Sequence, residues 1–356
     1  MTTLQTIRTA VVLGAGIAAA WGGIHAQERL LVVTTLPTYA SIAREIAGSR
    51  ADVQAIARGD EDPHYVNARP SFAALLQRAD LFVMTGLDLE LWVPALLDRA
   101  RNARVVEGGP GNVVAYSGIT LLDVPENVSR TGGDIHVFGN PHIHTDPINA
   151  IQIARNIAAG LQRVDPGSAA QYAANLASFR DRILRRTFGD RMVELLGAES
   201  LLGLAREGRF WEFVRGRQYE GRPLIESLGG WLAQAAPFRE RRMVCYHKNW
   251  AYFSARFQIS CAMYVEPKPG IPPSPGHVAD VMEFMRTQHI PVLFAANYFS
   301  RSQIERVASR TGATAVIVPE HVTGEEGVDD YFTLVDTWVS RLAEAYRAAG
   351  GAASGR

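Results

Sequence analysis

Between positions 30 and 107, short apolar runs alternate with segments whose apolar residues recur at helical spacing. Leu30 to Thr35 reads as a buried strand, and Val53 to Ala57 and Leu81 to Thr85 repeat its length and character. Arg104 to Glu107 reads as a short fourth strand. Between them, Tyr39 to Ala47 (stopped by Gly48), Ser71 to Arg78 (with Pro70 in the turn ahead) and Leu91 to Arg101 read as helices. The same alternation returns after Arg242. Its strands are Met243 to Tyr246, Cys261 to Val265, Val292 to Ala296 and Ala315 to Val318. Its helices are Trp250 to Phe257, Val278 to Arg286 and Gln303 to Arg310, with a last amphipathic helix from Tyr331 to about Ala348. Strands that alternate with helices imply right-handed crossovers and parallel sheets, so the pattern predicts an α/β fold of two parallel-sheet lobes.

A helical stretch separates the lobes. Asp146 caps and Pro147 opens a helix through Leu161. Beyond Asp165-Pro166-Gly167, helical spacing continues from Ala169 to about Leu196, a helix of roughly 28 residues and about 40 Å that could brace the lobes. The division expected is an export signal over 1–26, an N-terminal α/β lobe over 27–160, a bracing helix over 161–196 and a C-terminal α/β lobe over 197–356. A helical insertion near 197–241 carries no assigned chemistry. The cleft between the lobes is where strand carboxyl ends gather loops, and there the site is expected.

Arg8, the uncharged run Ala10 to Gly23 and the small residues at Ile24-His25-Ala26 have the order of a cleavable signal peptide. That places the mature chain in the periplasm. Basic and acidic side chains balance at 36 each, which leaves no basic face for nucleic acid. The two cysteines, Cys245 and Cys261, fall in strand-like runs. They read equally as a disulfide between neighbouring strands or as two buried thiols.

Three histidines stand at strand-to-helix junctions: His64 in Asp62-Pro63-His64, His142 in Asn140-Pro141-His142, and His247 directly after a strand. Neutral imidazole suits zinc, and three imidazoles with one further ligand make a tetrahedral zinc site; manganese favours more carboxylate oxygen. Glu320, after the last strand, is the chosen fourth ligand, with His321, His136 and His144 as competitors. Glu266, which opens a proline-dense segment, is a candidate hydrogen-bond partner for a ligating imidazole. Affinity for the ion is expected to fall as pH drops through the histidine range.

Asp62-Pro63-His64 with Pro70-Ser71, Asn140-Pro141-His142 through Asp146-Pro147, and His247 with Trp250 and Phe253 resemble, in that order, the ligand motifs of the zinc- and manganese-binding solute-binding proteins of ABC importers. The resemblance covers about Leu30 to Tyr346. It implies one Zn2+ ion, or Mn2+, carried as cargo between the lobes by His64, His142 and His247. Glu320 stands nearest to the family's fourth position. It also implies a membrane permease as partner, a rigid brace and no enzymatic activity; a monomer is expected. The sequence departs from the family at His144, where an aromatic residue is common, at Ala296-Asn297, where an acid is common, and in lacking a histidine-rich loop. The competing reading is a secreted zinc-dependent hydrolase. It lacks a His-Glu-x-x-His helix and an evident general base.

Overall fold

The computed structural model describes residues 28–125, 136–268 and 270–354. The export signal expected over 1–26 lies outside them. The first run forms β1 (Leu30–Thr34), α1 (Pro37–Ala47), β2 (Ala51–Ala55), α2 (Pro70–Arg78), β3 (Leu81–Met84), α3 (Val93–Ala100) and β4 (Asn112–Val114). The strands are all parallel, in the order β2-β1-β3-β4. Two helices follow, α4 (Pro147–Val164) and α5 (Ala169–Phe188). Then come α6 (Asp190–Leu196), α7 (Ala198–Arg206), α8 (Phe210–Arg215), the two-residue hairpin strands β5 (Gln218–Tyr219) and β6 (Arg222–Pro223), and α9 (Gly230–Gln234). The second run forms β7 (Arg242–Cys245), α10 (Ala251–Phe257), β8 (Ser260–Tyr264), α11 (Pro275–Thr287), β9 (Val292–Ala296), α12 (Arg301–Thr311), β10 (Thr314–Val318) and α13 (Tyr331–Ser354). This sheet is also all parallel, in the order β10-β9-β7-β8.

Each strand order reverses once, between β1 and β3 in the first sheet and between β7 and β9 in the second. Crevices at the carboxyl ends of such switch points are where α/β sheets bind ligands. A single hydrophobic core runs from the first sheet through α4 and α5 to α10 and α13, with Tyr39, Tyr172, Phe179, Trp231, Trp250 and Trp338 fully buried in it. A smaller core fills the opposite face of the second sheet, under α11 and α12. The α5 helix packs against α1 and α4 on one side and α9 on the other, so the two sheets are braced by shared packing.

Two expectations change. The fourth strand is Asn112–Val114, not Arg104 to Glu107. Val105 is buried, but its neighbours turn back on themselves, with Gly109 N donating to Val106 O (2.8 Å) and Gly111 N to Arg104 O (2.8 Å). The long helix stops at Phe188 after 20 residues, or about 30 Å. Gly189 stands there with φ +85°, packed so closely on Gly229 that a Cβ would lie 2.4 Å from its Cα. The helix breaks where the insertion's chain crosses it. Cys245 and Cys261 are joined as a disulfide across the neighbouring strands β7 and β8, with Cα atoms 5.4 Å apart.

Candidate metal centre

The first histidine is set by a short turn. After β2 the chain forms a 3-10 turn over Pro63–Tyr65, and the Asp62 carboxylate caps it by accepting from the His64 main-chain N–H (3.0 Å). The same oxygen accepts from His64 Nδ1 at 2.7 Å. Proline at the first turn position fixes the backbone for this geometry. The second histidine follows an Asx turn, in which Asn140 Oδ1 accepts from His142 N (3.0 Å). Asp146 then caps α4 through Ile148 N (2.9 Å). Asp146 also forms a buried two-pronged pair with Arg256 of α10, at 2.9 and 2.8 Å. Asn140 Nδ2 donates to Lys248 O and Tyr252 Oη to Asn140 O, both at 2.8 Å. The His142 loop is thereby tied to the second sheet, whose β7 leads directly to His247.

His64, His142 and His247 converge, each offering a ligand atom within 4.8 Å of the others. Each ring is held from behind at Nδ1. His64 Nδ1 meets the Asp62 carboxylate (2.7 Å), His142 Nδ1 the Glu320 Oε1 (2.8 Å) and His247 Nδ1 the main-chain oxygen of Glu266 (3.0 Å). A carbonyl and an ionised carboxylate only accept, so all three Nδ1 atoms carry a proton, and in the neutral form of each ring the Nε2 atom presents the lone pair. Metal-ligating imidazoles are held in the same way. His142 Nε2 is buried with no hydrogen-bond partner among the described residues.

His136 adds a fourth ring. Its Nε2 lies 3.2 Å from His64 Nε2, and its Nδ1 is buried with no hydrogen-bond partner among the described residues. Two nitrogens bound to one tetrahedral zinc at 2.0–2.1 Å stand about 3.3–3.4 Å apart. The observed separation therefore suits two ligands of one ion.

Glu320 is fully buried behind His142. Its Oε1 accepts from His142 Nδ1, and its Oε2 accepts from Asn249 Nδ2 (2.5 Å) and, in a short contact, Tyr298 Oη. Burial works to raise the Glu320 carboxyl, but the His142 ring, with His321 and His144 beyond it, outweighs that and holds it well below the usual range. Burial likewise opposes ionisation of Asp62, and the hydrogen bond from His64 overcomes it. Burial first, then the nearby His142 ring, pushes His136 down to about 2 and His247 to about 3. These two rings are neutral at pH 7, which is the ligating form. For them proton competition begins far below the ordinary histidine range expected from the sequence.

Glu320 also gathers a second group. His144, Glu320 and His321 are all fully buried and offer ligand atoms within 4.8 Å of one another. His277 has a local role: its main-chain N is capped by Ser274, and its Nε2 meets Tyr264 O. Asn249 and Tyr298, which grip Glu320, carry no signal in the sequence beyond their closeness to His247 and to the end of β9. Glu266 does serve an imidazole, through its main-chain oxygen and not its carboxylate, which stands 4.0 Å away.

A family model described as zinc-uptake complex component A, periplasmic, matches residues 32–186 and 225–345. The "Iron-binding protein YfeA" of Yersinia pestis is 26% identical over 326 residues, covering 90% of this chain and 87% of that protein. The "Manganese ABC transporter substrate-binding lipoprotein PsaA" of Streptococcus pneumoniae is 22% identical over 325 residues, covering 89% of each. A crystal structure of ZnuA superposes with a TM-score of 0.66 at 19% identity, over 90% of this chain and all of that one, and so shares the fold. The relatives are named as binding proteins, which lends the hydrolase reading no support.

Proposed function

The chain belongs to the family of periplasmic zinc-uptake components, metal-binding proteins of ABC importers, and from that premise we propose that its own cargo is Zn2+. His64, His142, His247 and His136 hold the ion through their Nε2 atoms. Asp62, Glu320 and the Glu266 main chain fix the rings from outside. The observation that carries this is the shared restraint of three converging imidazoles at Nδ1. An all-nitrogen donor set favours zinc over manganese, which prefers carboxylate oxygen. Glu320, expected as the fourth ligand, acts in this reading as the carboxylate that orients His142 and raises its basicity. The protein works by capture in the periplasm as a monomer and delivery to a membrane permease.

The test strips the exported chain of metal and titrates it by chelator competition with zinc, manganese and ferrous iron in turn. Tight zinc binding, with weaker manganese and iron, is the expected result, and a His64→Ala/His247→Ala variant should bind one zinc fewer per chain. Manganese or iron binding as tightly as zinc would overturn the choice of cargo. An unchanged number of tightly bound zinc ions in the variant would remove both residues from the site.

A further inference from the structure

We propose that the chain carries a second divalent-cation position, deeper in the cleft and distinct from the four-imidazole site, formed by His144, His321 and Glu320. His144 comes from the turn ahead of α4, while Glu320 and His321 come from the loop after β10. All three are fully buried, and their ligand atoms lie within 4.8 Å of one another. His144 Nε2 stands 3.6 Å from Glu320 Oε1, close to the roughly 3.4 Å spacing of two ligands on a tetrahedral zinc. The His144 and His321 rings lie side by side with centroids 4.8 Å apart. The widest pair, within 4.8 Å, would need to close by at most about 1.4 Å to reach that spacing.

The hydrogen bonding around the trio leaves ligand atoms over. His321 Nδ1 meets Thr38 Oγ1 (3.2 Å), but its Nε2 has no hydrogen-bond partner among the described residues. Neither His144 ring nitrogen makes a well-formed hydrogen bond among the described residues, although the Glu320 main chain lies near the ring and the His144 main-chain oxygen is held by Tyr331 Oη (2.8 Å). Buried ring nitrogens left without a well-formed hydrogen bond ask for an explanation, and a bound ion would supply one. Two neutral imidazoles and one carboxylate form a donor set for a borderline transition ion with one open position. Calcium and magnesium, which take oxygen donors, do not fit. The second position does not depend on His64, His136 or His247.

The experiment saturates the metal-free full chain with zinc, removes loosely held ion by dialysis and measures zinc per chain. It is paired with anomalous scattering at the zinc edge from crystals of the wild-type protein. Two ions per chain and two anomalous peaks are expected. His144→Phe/His321→Phe should retain one ion, with the affinity of the outer site within about threefold of wild type. His64→Ala/His247→Ala should also retain one, now in the inner position. One ion and one peak in the wild-type protein, at the outer histidines, would overturn the second position, as would two ions remaining in His144→Phe/His321→Phe. If that variant fails to fold, the wild-type anomalous map decides alone. A peak at His144, His321 and Glu320 supports the proposal, and its absence sinks it. Failure of the outer site would show instead as a missing peak at His64 and His247, so the two readings fail separately.

Discussion

Replacing Asp62 by asparagine isolates what the outer carboxylate does for the metal. Asp62 Oδ1 accepts from both the main-chain N–H and the Nδ1 of His64, at 3.0 and 2.7 Å. The asparagine oxygen can occupy the same place, so the turn cap and the ring orientation survive. What disappears is the negative charge that makes Nε2 a better donor. Loss of such a partner weakens metal binding by about 10–100-fold, or about 1.4–2.7 kcal/mol. The Asp62 side chain is 25% exposed, and water screens part of its charge. We therefore expect the lower half of that range, about 10–30-fold, for Asp62→Asn. The assay is zinc competition against a chelator at pH 7.5, with a melting curve of the apo protein to confirm that the turn is intact. His64→Ala, which removes a ligand, should weaken binding well beyond 100-fold. Wild-type affinity in Asp62→Asn would refute the claim that the Asp62 charge makes His64 Nε2 a better donor.

Three further outcomes follow from the same structure. The disulfide closes a loop of 16 residues, so Cys245→Ala/Cys261→Ala should cost about 3 kcal/mol; equal denaturation midpoints with and without reductant would refute this. Arg256→Leu leaves the Asp146 carboxylate buried without its partner and should destabilise the apo protein by about 3–5 kcal/mol, read by urea unfolding. Burial pushes His136, His247 and His321 down to about 2, about 3 and about 4. Above the free-histidine value of about 6.5 the rings are neutral in both states, and their contribution to stability is whole. Below it the unfolded chain takes protons that the folded chain refuses, so apo stability should fall by up to about 1.4 kcal/mol per pH unit for each ring down to about pH 4. A melting temperature that stays flat between pH 7 and pH 5 would contradict this.

The strands and helices were legible because each is a local pattern: an apolar run of strand length, a proline at a first turn, a glycine at a stop. The three outer histidines were legible for a related reason, since each directly follows a feature that ends a strand or opens a helix. The errors arose where a distant segment decides. Val105 has a strand residue's character and a strand residue's burial, but Gly109 and Gly111 fold its neighbours into a turn and pass the edge position to Asn112–Val114. Helical spacing continues past Phe188, and only the approach of Gly229 shows why the helix ends there. Which nitrogen of His142 meets Glu320 is hidden from the sequence for a sharper reason. The place of Glu320 after β10 marks it as a cleft residue, yet ligand and orienting partner differ only in which side of the His142 ring the carboxylate meets. That is a matter of about 2 Å across one imidazole, and no spacing along the chain encodes it.

The cleft also constrains how capture can work. His64 stands on the first sheet, His247 and Glu320 on the second, and His142 on a loop of the first that Asn140, Asp146 and Tyr252 fasten to the second. One core and α5 join the two sheets, so a wide hinge opening would break buried packing over much of the molecule. His136, whose Nε2 lies 3.2 Å from His64 Nε2, is not among the residues that fasten the two sheets. Removing His136 should then speed zinc dissociation while leaving three imidazoles in place, a change that stopped-flow transfer to a chelator would register as a larger koff. An unchanged koff would place His136 outside the path of the ion and return the fourth position to Glu320.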